Sequence, residues 1–236
     1  MKSSKQSISF RYTGMKPMGF TLIELLVILG VVAITAAMML PTLSIAHERA
    51  GAASCESNMK QLSVAAAMYS GANKEYTVMR GYDNSKRWMH LLNSFVPTID
   101  RSKGSGVMLP VLSCPGDLNF NYTYTTLGGT SNGNNNPSFG LSDRLGSSVP
   151  KYTLSQIKNP AQKVYFSDTL HKGSSDDPKN QLGDASYMIA GGTSIASRHA
   201  GGCNVLWLDG HVSALNKEER KAIISNRGSG NKFWNP

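Results

Sequence analysis

The stretch FTLIELLVILGVVAITAAMML, from Phe20 to Leu40, holds one ionisable side chain, Glu24, in 21 residues. At about 1.5 Å rise per residue a helix of that length covers roughly 30 Å, the hydrocarbon thickness of a bilayer. Ahead of it, residues 1–19 carry Lys2, Lys5, Arg11 and Lys16 and no acid. Positive charge favours the cytoplasmic flank, so this pattern predicts a single-pass protein with residues 1–19 inside and everything after Pro41 outside. A secretory signal peptide would have an apolar run of about 7–15 residues followed by a small-residue cleavage site. Here the run is longer, and Met38, Met39, Leu40 and Pro41 follow the alanines. A plain membrane anchor matches the length but gives Glu24 no purpose, and a carboxylate at that depth costs about 3 kcal/mol or more.

Beyond Pro41 the helix is expected to continue, with a kink where proline lacks its N–H and crowds the preceding turn. Ala52, Cys55, Met59, Leu62, Ala66 and Tyr69 recur at spacings of three and four, which is one apolar stripe on a helix. Arg49, Glu56, Lys60 and Gln61 lie between them, and Ser70-Gly71 offers a stop. The expected object is a helix from Phe20 to Tyr69, its first half in lipid and its second half packed on a globular head.

Residues 71–236 form that head. Segment 86–96 reads as a short amphipathic helix carrying Trp88, Leu91, Leu92 and Phe95 and ending before Pro97. Residues 128–140, rich in Gly and Asn, read as a loop. Residues 163–167 read as a strand. Asn204 to Leu208, then Asp209-Gly210, then His211 to Ala214 give a hairpin with a two-residue Asp-Gly turn. Lys217 to Ile224 reads as a terminal helix. The fold class predicted is α+β, with an antiparallel sheet against the stalk helix.

The whole chain of 236 residues has 24 Lys and Arg against 15 Asp and Glu, a formal +9. Without residues 1–19 it has 20 against 15, or +5, with no basic cluster of the kind that binds nucleic acid. Three cysteines are too few for a disulfide scaffold and too far apart for a CxxC pair. No HExxH or phosphate-binding loop occurs, so no catalytic role is expected.

Lys16-Pro17-Met18-Gly19-Phe20-Thr21-Leu22-Ile23-Glu24 closely resembles the class III signal of type IV prepilins and type II secretion pseudopilins. The resemblance implies a leader, residues 1–19, removed by a prepilin peptidase between Gly19 and Phe20, with methylation of Phe20. It makes Glu24 the fifth mature residue, neutralising the terminal amine of a neighbouring subunit during assembly. It implies an inner-membrane protein with a periplasmic or extracellular head, whose partners are membrane lipid, copies of itself, the peptidase and an assembly platform. Arg198 to Val212 resembles the "His, nine residues, Asp-Gly" C-terminal domain that accompanies such leaders in planctomycete, verrucomicrobial and lentisphaeral proteins. Ser54 to Leu62 and Cys114-Pro115-Gly116-Asp117 resemble two further stretches of that group. The alternative functional reading is a membrane-tethered or filament-tip module that captures a ligand, with loop 128–140 as its contact.

No firm metal site emerges from the sequence. His199, Asp209 and His211 offer two imidazoles and a carboxylate. The preferred reading gives Asp209 to the turn, Gly210 to positive φ and His199 to a backbone hydrogen bond. Asp168, Asp176, Asp177 and Asp184 offer oxygen ligands for a calcium cofactor at a spacing unlike an EF-hand. Some pseudopilins of the family resembled order a head loop with calcium. In an oxidising space Cys55 and Cys114 are the candidate disulfide pair, against the alternative of three small buried hydrophobes.

Overall fold

The computed structural model describes residues 19–80, 88–96, 110–117, 137–142, 145, 151–169, 188–189, 195–225 and 233. Its first element, α1, is a continuous helix over Leu22–Ala72, with Pro41 inside it. Residues as far as Ile45 belong to one compact unit and those from Ala46 onward to a second. In the first unit the apolar side chains are exposed from Phe20 to Ile45. The helix is long and apolar enough to cross a membrane.

The start of α1 is fixed locally. Thr21 precedes the first helical residue, and its Oγ1 accepts the Glu24 N–H at 3.3 Å. The Glu24 carboxylate accepts the Thr21 N–H at 2.9 Å and the Thr21 hydroxyl at 2.8 Å. This is a capping box, in which two otherwise orphaned N–H groups satisfy each other's side chains. Glu24, with no local purpose in the sequence reading, therefore has one.

In the second unit Cys55, Met59, Leu62, Ala66 and Tyr69 of the stripe are buried, joined by Ala65, while Ala52 at its start is half-buried. Gly71 does not stop the helix, which ends one residue later and is followed by Lys74 and Glu75 in the left-handed region. Helix α2 is short, Trp88–Leu92, with a 3-10 turn at Asn93–Phe95. It delivers Trp88, Met89 and Leu92 to the same core, where Trp88 meets Phe166 edge-on at 5.0 Å.

Five strands form one sheet: β1 Phe139–Ser142, β2 Val164–Asp168, β3 Met188–Ile189, β4 Cys203–Trp207 and β5 Val212–Leu215. Their order is β3-β1-β2-β4-β5. The four central and outer strands β1, β2, β4 and β5 are antiparallel, as expected, while β3 adds to the edge in parallel with β1. Helix α3, Lys217–Ser225, follows β5.

The sheet is covered on both faces, so strand alternation sorts side chains between two cores. Phe166, Leu206 and Leu208 join the core containing the α1 stripe. Cys203, Val205 and Trp207 join a second cluster with Ile223 of α3. Cys203 is thereby placed on the opposite face of the sheet from Cys55 and Cys114.

The hairpin differs from its expected form. Trp207 N donates to His211 O at 2.9 Å and Gly210 N to Trp207 O at 3.0 Å. The connection is therefore the three residues Leu208–Gly210, with Gly210 at φ +95°, and not a two-residue Asp-Gly turn. A turn closed by one left-handed residue is the usual three-residue solution, and glycine takes that conformation without penalty.

Candidate metal centre

Four side chains from four separate segments converge beside α1: Cys55, Cys114, Asp168 and His199. One donor atom from each, two Sγ, a carboxylate oxygen and an imidazole nitrogen, all lie within 4.8 Å of one another. Among the described residues this is the one such group of three or more metal-binding side chains.

Each is placed by its own element. Cys55 lies on the apolar stripe of α1. Cys114 opens a tight turn, Cys114-Pro115-Gly116-Asp117, closed by the Asp117 N–H to Cys114 O bond at 2.9 Å. Proline at the second turn position suits its fixed φ. Asn58 on α1 holds the preceding residue, its Nδ2 donating to Ser113 O at 2.7 Å. Asp168 ends β2, two residues after Phe166 and so on the same α1-facing side. His199 begins a tight turn in which Gly202 N donates to His199 O at 2.8 Å, with Ala200 and Gly201 both at positive φ. The Ala200 N–H is capped by Glu48 Oε1 of α1 at 3.0 Å.

The contacts are close. Cys55 Sγ lies 3.4 Å from Asp168 Oδ1, and Cys114 Sγ 3.4 Å from His199 Nε2. The same Nε2 is 3.6 Å from Asp168 Oδ2. Asp168 Oδ2 also accepts the Asn204 N–H of β4 at 2.7 Å. Behind these donors, Arg198 is buried against two carboxylates: Asp117 at 2.8 Å and Asp168 at 3.6 Å. Its other hydrogens go to the carbonyls of Ser138 and Thr169, and Ser138 Oγ donates to Asp117 at 2.8 Å.

These surroundings shift the groups in different directions. The neighbouring Cys55 and His199 pull the Cys114 thiol down to about 6; Cys55 itself is raised by its contact with Cys114 and by burial. Burial raises Asp168, partly offset by Arg198 and His199. Burial lowers His199, but its bond to Cys114 and the Asp168 charge outweigh this and leave it raised. On the opposite face, burial pushes Cys203 up to about 12.

A cysteine, a histidine and an aspartate in contact invite comparison with a nucleophilic triad. Such a triad uses the two imidazole nitrogens separately, one toward the nucleophile and one toward the carboxylate. Here a single nitrogen, Nε2, faces both partners, and the Cys114 thiol is 1% exposed. The arrangement is that of donors turned toward a common point.

The expected candidates divide accordingly. His199 lies in the cluster, where its imidazole meets Cys114 and Asp168 in place of the backbone hydrogen bond expected of it; only its main chain bonds within its own turn. Asp209 and His211 do not join it; they pair with each other at 2.6 Å on the exposed hairpin, where Asp209 Oδ1 also accepts the His211 N–H at 3.2 Å. Asp168 belongs to a buried strand end and not to an acidic loop, so the expectation that grouped it with loop acids for calcium is corrected. Asp176, Asp177 and Asp184 lie outside the described residues, as do residues 128–136 of the Gly/Asn-rich loop. Cys55 and Cys114 are brought together as expected but stand as free thiols, as does Cys203. Gly19 and Phe20 precede α1, with Phe20 exposed. Sequence reasoning gave Arg198 and Asp117 no role, although both stand in stretches it singled out; the adjacent pair Arg198-His199 and the Cys-Pro-Gly-Asp turn were the available signals.

No protein-family model, curated protein or solved structure matches this chain. The architecture is pilin-like: a long N-terminal helix, apolar in its first part, whose Cys55–Tyr69 stripe packs on a sheet with four antiparallel strands.

Proposed function

We propose that the chain is a prepilin-like, or pseudopilin, structural subunit of a type IV pilus or a type II secretion pseudopilus. The observation that carries this reading is the signal Lys16 to Glu24 lying at the head of a 51-residue helix. The apolar first part of that helix matches a membrane span, and its second part packs on a sheet. In this reading a prepilin peptidase cuts between Gly19 and Phe20 and Phe20 is N-methylated. The protein sits in the inner membrane with its N-terminus cytoplasmic and its head periplasmic or extracellular. Its partners are lipid, its own kind and an assembly platform. A structural rather than enzymatic role is supported by the sealed thiols and the shared Nε2 described above.

The test is the intact mass of the chain expressed with and without a prepilin peptidase. Loss of residues 1–19 and gain of one methyl group on Phe20, both dependent on the peptidase, are expected. Cleavage beyond Leu40 or no cleavage would sink the reading.

A further inference from the structure

We propose that Cys55, Cys114, Asp168 and His199 bind one zinc ion in a closed structural site that ties α1 to the sheet. A tetrahedral zinc with Zn–S near 2.3 Å and Zn–N or Zn–O of about 2.0–2.1 Å has ligand-to-ligand edges of about 3.3–3.8 Å. The Cys114 Sγ–His199 Nε2 contact of 3.4 Å is an edge of that size, as is the contact of whichever Asp168 oxygen ligates, Oδ1 at 3.4 Å from Cys55 Sγ or Oδ2 at 3.6 Å from His199 Nε2, and all four donors lie within 4.8 Å of one another. Four protein donors fill the coordination shell and leave no open position, the signature of a structural rather than a catalytic zinc. Two soft sulfurs with one imidazole and one carboxylate select zinc over calcium or magnesium, which require oxygen ligands.

The supporting shell is also built. Asp168 is oriented by the Asn204 N–H and by Arg198, and Arg198 is itself held by Asp117 and two carbonyls. Such outer partners fix ligand orientation and are part of a metal site's design. A Cys55–Cys114 disulfide would use two of the four donors and leave His199 and Asp168 pointing at a bond they cannot serve. The ligands lie 59, 54 and 31 positions apart along the chain, so one ion cross-links the stalk helix, the Cys-Pro-Gly-Asp turn, β2 and the His199 turn. Binding sends the thiol protons to solvent and involves no redox change.

The test uses the full chain purified in detergent without chelator or added metal. Elemental analysis is expected to find about one zinc per chain, as a closed four-ligand site requires. Zinc is lost in Cys114→Ser and His199→Ala and kept in Cys203→Ser, whose sulfur lies on the other face of the sheet. To keep the test independent of how the ligand variants fold, the unsubstituted chain is also stripped with EDTA and reloaded with cobalt(II). Tetrahedral ligand-field bands together with thiolate charge transfer are expected, as is a fall in unfolding temperature that zinc reverses. Zinc retained by both ligand variants overturns the proposal. So does a metal-free chain that takes up no cobalt, with or without a Cys55–Cys114 disulfide in its peptide map.

Discussion

The thiol of Cys55 donates to Oδ1 of Asp168 across 3.4 Å, joining α1 to the end of β2 over 113 positions of chain. A carboxylate this deeply buried is held by every neighbour it has, and Arg198 is the one fixed cation among them. Helix, sheet and turn therefore share one polar knot inside an otherwise apolar core.

Arg198→Met should be among the most damaging substitutions in the head. It keeps the volume but leaves Asp117 and Asp168 buried without their cation. Breaking a buried pair in this way costs about 3–5 kcal/mol. Urea unfolding of the detergent-solubilised chain, followed by tryptophan fluorescence, measures the loss; a cost under about 1 kcal/mol, typical of an exposed pair, would contradict this account.

Tyr165 illustrates a smaller cost. Its hydroxyl accepts the buried Val78 N–H at 2.8 Å. Tyr165→Phe removes the acceptor and keeps the ring, leaving an unsatisfied donor worth about 1–3 kcal/mol. The same unfolding experiment, supplemented by faster hydrogen exchange at Val78, checks it.

Gly202 and Gly71 should respond in opposite directions to alanine. A Cβ on Gly202 would stand 2.1 Å from the Leu215 carbonyl oxygen, a backbone atom of the neighbouring strand. Overpacking of this kind costs about 1–3 kcal/mol, and here it also displaces the turn that carries His199. A Cβ on Gly71 meets nothing within 4 Å in the last turn of α1, so Gly71→Ala should stabilise by about 0.5–1 kcal/mol. Paired melting curves of the two variants give the comparison.

Glu24 has two separable roles, the helix cap and its charge. Glutamine can replace glutamate in a capping box, so Glu24→Gln keeps the cap and removes the charge, whereas Glu24→Ala removes both. If the charge neutralises a neighbour's terminal amine, both variants insert and are cleaved but neither enters filaments. Normal incorporation of Glu24→Gln beside failure of Glu24→Ala would assign the residue to the cap alone. Pull-down of tagged chains with sheared filaments reads the outcome.

What could be read from the sequence was local. The membrane-length run, the stripe from Cys55 to Tyr69, the helix at Trp88, the strand near Phe166 and the β4–β5 hairpin all follow from spacing. Periodicity records which face of an element is buried without needing to know what buries it. The turn detail was less legible, because Asp209-Gly210 serves a two-residue or a three-residue connection equally well. Only the register from Trp207 to His211 distinguishes them.

The polar centre is different in kind. Asp168 looked like the first of a set of loop acids because composition groups neighbours in sequence. Its parity with Phe166 on β2 is what turns it toward α1. His199 looked like a partner for His211 because both flank one hairpin, yet the turn at Ala200 and Gly201 sends it to Cys114, 85 positions earlier. Spacing along the chain determined the elements. Which four side chains meet was decided by the pairing of strands and the packing of α1 across the sheet, since donors from four segments acquire a common point only when the backbone has folded around it.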